Sequence, residues 1–142
     1  MRIITKTLLT IIAILFANAC ATTPTMKRLV GEYEVHYGGS NTGTSKNYVL
    51  LENGVLEVFQ TGGGVGRGIT KKRAEAKWAI VDGELHVEFD NESVEVFRIN
   101  MHTDESKKQT PTLWDGIIRF ATIDKDGNRK DLAEQHVFKK IK

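Results

Sequence analysis

KWAIVDGELHVEFD (77–90) holds two apolar runs around Asp82-Gly83. Both turn residues tolerate positive φ, so the pair reads as a tight type I′ hairpin. In the second run Leu85, Val87 and Phe89 point one way, and Glu84, His86, Glu88 and Asp90 the other. A period of two marks a strand with one buried face. The same signature recurs on both sides. NYVLLE (47–52) and VLEVFQ (55–60) flank Asn53-Gly54, a second hairpin of this kind. LVGEYEVHY (29–37) alternates, with Leu29, Gly31, Tyr33, Val35 and Tyr37 on one face. SVEVFRIN (93–100) follows a tight connection at 90–92. IIRFATID (117–124) and a last run within RKDLAEQHVFKKI (129–141) flank Lys125-Asp126-Gly127-Asn128. No helical stripe of useful length appears after residue 29. About eight short strands, joined mostly by hairpins, predict an all-β fold: a single antiparallel up-and-down β-barrel over 29–142. Closure would remove the edges that invite pairing with other chains.

Composition agrees with one globular domain. The chain has 142 residues, 40% hydrophobic and 27% charged, enough for a single core. Its one cysteine excludes a disulfide framework and a cysteine-rich zinc module. The formal charge of +2 falls to zero once Arg2 and Lys6 are set aside, since 20 bases less two leave 18 against 18 acids. A neutral body argues against nucleic acid as a partner.

Arg2 and Lys6 belong to an N-terminal segment with the layout of an export signal, a signal helix over residues 1–19. A basic start precedes the apolar run LLTIIAILF (8–16), and the small residues Ala17-Asn18-Ala19 follow. The run is shorter than the roughly 20 apolar residues that span a bilayer. Cys20 comes directly after it. The arrangement resembles the lipobox of bacterial lipoproteins, with Ala19 before the cysteine and Ala17 where that family prefers Leu. The resemblance implies a diacylglyceryl group on the Cys20 sulfur and an acylated new N-terminus. Ala21 after the cysteine, rather than Asp, implies the outer membrane. The same Ala17-Asn18-Ala19 triplet also suits ordinary signal peptidase, which would release a secreted or periplasmic soluble protein. ATTPTMKR (21–28) reads as a polar tether reaching roughly 26 Å if extended.

LVGEYEV resembles the Gly-x-Trp opening of lipocalins and related calycin barrels, with Gly31 in place and Tyr33 where Trp usually stands. KWAIVDGELHVEF resembles the middle hairpin of small bacterial lipocalin-like lipoproteins. The resemblance implies an eight-stranded barrel that binds a small hydrophobic or amphipathic ligand. It also implies a basic residue of the last strand, Lys139 or Lys140, packed across the opening aromatic. The residues expected to line such a site are Tyr33, Val35, Leu50, Phe59, Trp78, Ile80, Leu85, Val87, Phe89 and Phe120. Trp114, in the long polar loop 101–116, plugs one barrel end or anchors a ligand or partner. Arg98 and Arg119 interrupt apolar strands and are expected to face outward. If either turned in, its guanidinium would demand an anion, from a carboxylate ligand or a nearby Glu.

Other motifs fail on inspection. TGGGVGRGITKKR (61–73) lacks the Gly-Lys-Ser/Thr ending and the helix of a phosphate loop, and reads as a wet, glycine-rich loop between the third and fourth strands: plainly solvated, set over the barrel mouth as a gate, or against anionic headgroups. DKDGN (124–128) lacks the glycine and the closing Glu of a calcium loop. His36, His86, His102 and His136 show no metal-site spacing, so no metal or cofactor is expected. No nucleophile–base arrangement stands out, and the chain reads as a non-enzyme. Two functions stay open: a lipid-anchored carrier of a small ligand, and an envelope lipoprotein with a filled barrel that binds a protein partner.

Overall fold

A computed structural model describes residues 24–37, 44–62 and 70–142. The signal segment 1–19, Cys20 and residues 63–69 of the glycine-rich stretch lie outside the described residues. A short helix α1 (Pro24–Leu29) leads into strands β1 (Gly31–Tyr37), β2 (Thr44–Leu50), β3 (Val55–Thr61), β4 (Thr70–Val81), β5 (Glu84–Glu88) and β6 (Val94–Asn100). Helix α2 (Asp104–Gln109) then precedes β7 (Gly116–Ile123) and β8 (Arg129–Lys140). Every strand pairs antiparallel with its sequence neighbour, and β1 returns to β8, closing the ring of eight strands. The all-β, antiparallel reading therefore holds.

The β1–β8 seam is short, with Tyr33 opposite Lys140 and Glu34 opposite Lys139. The C-terminus reinforces it. Glu32 N–H donates to the Lys142 carbonyl at 3.0 Å, and Ile141 N–H donates to the Glu32 carbonyl at 2.8 Å. This close approach requires glycine at position 31. Its φ is +146°, and a Cβ there would land on the Lys142 carbonyl oxygen, with Lys140 Cε at 2.7 Å. Gly31→Ala is therefore expected to cost about 2–3 kcal/mol, from strain and loss of the seam bonds. Urea unfolding checks this, and a loss under 1 kcal/mol would mean that the C-terminus yields freely.

The two hairpin turns solve the same problem differently. Asp82 and Gly83 both take positive φ, 50° and 79°, the type I′ geometry read from the sequence. At Asn53-Gly54 only Gly54 is left-handed, at φ 79°. Leu51 N–H donates to Val55 O, Gly54 N–H to Leu51 O, and Asn53 Oδ1 accepts from Val55 N–H. The asparagine side chain there bonds the returning strand instead of its backbone adopting a mirror turn.

Three stretches depart from the sequence reading. Residues 24–28 are not an extended tether: α1 buries Met26 and Leu29 in the core. Residues 70–73 are not loop but the start of β4, with Thr70–Lys72 paired with Phe59–Thr61. Lys72 there bridges Glu57 at 2.6 Å and also holds Glu75, so its charge is met on the outer face. The 101–116 loop contains α2, whose N-cap Thr103 accepts from Ser106 N–H at 3.1 Å.

The middle of the barrel is filled. Tyr48, Phe97 and Phe138 are fully buried and stack with ring centroids 4.7–6.0 Å apart. Leu50, Leu56 and Leu85 pack among them. At one end α1 closes the barrel, with Tyr33 Oη donating to the Leu29 carbonyl at 2.6 Å. Burial, with the Asp115 carboxylate adding to it, pushes the Tyr33 phenol far above its ordinary pKa.

Candidate functional site

The opposite end is open. Alternation along β2 sets Lys46, Tyr48 and Leu50 on the inner face. Pairing of Val87 with Glu95 and of Leu85 with Phe97 sets Glu95 inward as well. Register shifts complete the arrangement. Between Val58 and Phe59 one extra residue of β4, Arg73, enters opposite a single step of β3. Such a bulge re-aims side chains, and here Arg73 and its neighbour Ala74 line the same cavity. A second shift, on β7, places Arg119 opposite Phe97 on one side and His136 on the other.

The result is a charged layer resting on the aromatic core. Arg119 Nη1 donates to Glu95 Oε2 at 3.0 Å. Tyr48 Oη donates to Glu95 Oε1 at 2.9 Å. Arg119 Nη2 lies 2.9 Å from His136 Nδ1. A guanidinium only donates, so that nitrogen accepts and His136 carries its proton on Nε2. Lys46 Nζ sits 5.2 Å above the Tyr48 ring. Burial, more than the neighbouring Arg119, lowers the Lys46 pKa, and Glu95 opposes the shift. Arg119 Nε is buried with no partner, alone in this among side-chain atoms of the described residues.

Above this layer lies an open pocket of about 400 Å³. Its apolar walls are Val58, Ala74 and Phe89, its charged groups Lys46, Arg73 and Glu95, and its neutral polar groups Gln60, Asn91 and Ser93. Glu95 is already engaged by Arg119 and Tyr48. The two cations therefore leave the pocket with a positive balance.

Several residues expected to line a ligand site do not reach this pocket. Tyr33, Val35, Leu50, Trp78, Leu85 and Val87 are core residues packed on one another, and Ile80 packs against them. Phe89 alone of that set lines the mouth. Phe59 pairs with Asn47, whose side chain donates to Glu32 at 2.7 Å, so Phe59 belongs to the outer face. Phe120 is also outside, between the guanidinium groups of Arg98 and Arg129, each 5.3 Å from its ring. Arg98 is exposed, as expected. Arg119 corrects the expectation: it faces in, and a Glu of this chain supplies the anion. Trp114 sits at the closed end, where its carbonyl accepts from Asn100 Nδ2 at 2.9 Å and Lys139 Nζ lies 5.9 Å over its ring. Of the two candidate lysines, Lys140 crosses Gly31 and donates to the Arg28 carbonyl at 2.7 Å.

The inner charges were missed for a traceable reason. Starting β2 at Asn47 left Lys46 off the strand, and Glu95 looked like one more polar alternate of β6. Carrying the parity of Tyr48 back two residues would have found Lys46. Among the described residues no three metal-ligating side chains converge, and no helix is long and apolar enough to cross a membrane. The sequence matches no protein-family profile, no curated protein and no solved structure.

Proposed function

We propose that this chain is an exported, lipid-anchored lipoprotein with a lipocalin-like barrel, and that it binds a small amphipathic anion at its mouth. One observation carries the reading: a pocket with two cations and a short apolar wall sits above a carboxylate already spoken for. An anionic head, carboxylate or phosphate, would meet Lys46 and Arg73, and a short apolar tail would lie on Phe89, Val58 and Ala74. The packed centre confines the ligand to the mouth, so long acyl chains are poor fits. No group in the pocket is asked to do chemistry.

Titration calorimetry with octanoate, octyl phosphate and octanol tests this. The two anions should bind and octanol should not, and Lys46→Met should weaken the anions about tenfold or more. Equal binding of octanol would sink the reading. The pH dependence follows from Lys46. Its pKa lies below that of an ordinary lysine, so it loses its proton sooner as pH rises. Anion affinity should therefore fall with rising pH before a solvated lysine would titrate, and Lys46→Met should flatten that fall.

A second reading is a filled-barrel envelope protein that recognises a protein partner. It is favoured by the packed centre and by an outer groove of about 370 Å³ along β4 and β5, walled by Val55, Ala79, Val81 and Val94 with His86. Failure of every anion to bind would turn attention there.

A further inference from the structure

We propose that the closed end of the barrel is a membrane-docking surface, laid on anionic lipid headgroups by Lys27, Lys108 and Lys139, with the mouth turned away from the bilayer. The inference rests on the lipid anchor at Cys20. Only three residues separate Cys20 from Pro24, so the anchor lies within about 14 Å of the start of α1. Helix α1 is fixed to the closed end by buried Met26 and Leu29. Arg28 Nη2 donates to the His102 carbonyl at 2.7 Å, and Lys140 donates back to the Arg28 carbonyl. A seven-residue strand such as β1 separates the two ends by roughly 20 Å. The anchor thus reaches the bilayer from the closed end and cannot bring the mouth down without lifting α1 out of the core.

The closed end also carries lysines free to meet headgroups. At the closed end Lys107 is held by Asp115 at 2.8 Å and Lys142 by Glu32 at 3.5 Å. Lys27, Lys108 and Lys139 are exposed and form no salt bridge among the described residues, although the exposed Asp104 and Glu105 of α2 share this end with them. Trp114 lies beneath Lys139, and Ile141 next to it is 47% exposed. An aromatic ring, an exposed aliphatic side chain and unpaired lysines suit the headgroup region. The rim of the mouth mixes the exposed acids Asp90, Glu92, Asp124 and Asp126 with the exposed bases Lys71, Arg73, Lys125 and Lys130, so the reach of the anchor, not charge, turns it from the bilayer.

The full chain, isolated from bacterial membranes in detergent, is first weighed for a diacylglyceryl group on Cys20. It is then reconstituted into phosphatidylethanolamine/phosphatidylglycerol vesicles with brominated acyl chains, and tryptophan fluorescence is read. Trp78 is buried in the core, so quenching reports Trp114. The expected result is a quenched Trp114 and, in a Trp114→Phe/Lys125→Trp chain, an unquenched reporter at the mouth. Lys27→Glu/Lys108→Glu/Lys139→Glu should cut the Trp114 quenching several-fold, as should replacing phosphatidylglycerol with phosphatidylcholine. A lipidated chain with a quenched mouth reporter, or with Trp114 quenching indifferent to the three lysines, overturns the docking surface and leaves the anchor standing. An unlipidated Cys20 overturns both, and the mass shows this before any vesicle is made.

Discussion

Glu95→Leu should lower stability by about 3 kcal/mol while raising the affinity of the mouth for anions. The carboxylate accepts from Arg119 and Tyr48, and the Glu95 and Arg119 side chains are only 13% and 19% exposed. Removing it leaves a guanidinium and the half-buried Lys46 facing each other without compensation, and stranding one charge of a buried pair costs about 3–5 kcal/mol. The partial exposure of both groups argues for the lower end. The Coulombic support that Glu95 lends Lys46 is lost as well, so Lys46 should titrate still earlier. Arg119→Met alone should cost a similar amount, because it leaves Glu95 with only Tyr48 and Lys46. The double variant should cost much less than the sum, since apolar replacements of both partners are often close to neutral. Urea unfolding of the four chains gives the coupling. Additive losses would mean that the pair is solvated and that the charged layer is not a unit. The ligand measurement moves the opposite way: with Glu95 gone, Arg119 is released to an incoming carboxylate or phosphate. Stability and affinity changing in opposite directions would identify the layer as a site held together by its own internal anion.

Much of the architecture was legible because it depends on short-range rules. Asp82-Gly83 could hardly be anything but a hairpin turn, and alternation through Leu85 and Val87 set the inner face of β5. The misreadings cluster where a rule has a period and the structure breaks it. Arg119 was expected outside because the apolar residues around it, Ile117, Ile118 and Phe120, carry no clean parity. The register shift beside Arg119 explains that mixture: Phe120 falls opposite the irregularity on both of its neighbours. A bulge leaves no signature in one sequence beyond such confusion of parity. Residues 24–28 read as polar tether, and Leu29 as the start of the first strand, because the charges Lys27 and Arg28 are consecutive. Met26 and Leu29, three apart, form the single apolar stripe of a six-residue helix, too short a pattern to register. Lys71, Lys72 and Arg73 read as loop for a similar reason. A strand whose outward charges are met by Glu57 and Glu75 needs little apolar content of its own.

Phe138→Ala should be the most damaging single change, at about 4 kcal/mol. The ring is fully buried on β8, 4.7 Å from Tyr48 and 5.6 Å from Phe97. Truncating a core phenylalanine costs about 3–5 kcal/mol, from lost transfer energy and from the cavity left behind. The cavity should persist here, because strands paired around a ring cannot close in on one missing side chain as two loosely packed helices can. For a domain of this size that loss lowers the melting temperature by roughly 12–20 °C. The measurement also separates the two views of the barrel. Where a barrel keeps an open apolar cavity at its centre, the lining rings are already without neighbours on one side, and truncation removes less. A loss near 4 kcal/mol, recovered in part by indole or benzene, would show a centre packed by the protein itself, with ligands restricted to the mouth. A loss below about 1.5 kcal/mol would mean that the stack is loose, and would return the whole barrel interior to consideration as a ligand chamber. The neighbouring contact gives the control. Phe89→Ala, at the half-buried rim of the pocket, should cost little stability and should weaken the anions that carry an apolar tail more than those that do not. Stability sensitive at Phe138 and affinity sensitive at Phe89 is the pattern expected of a filled barrel that binds at its mouth.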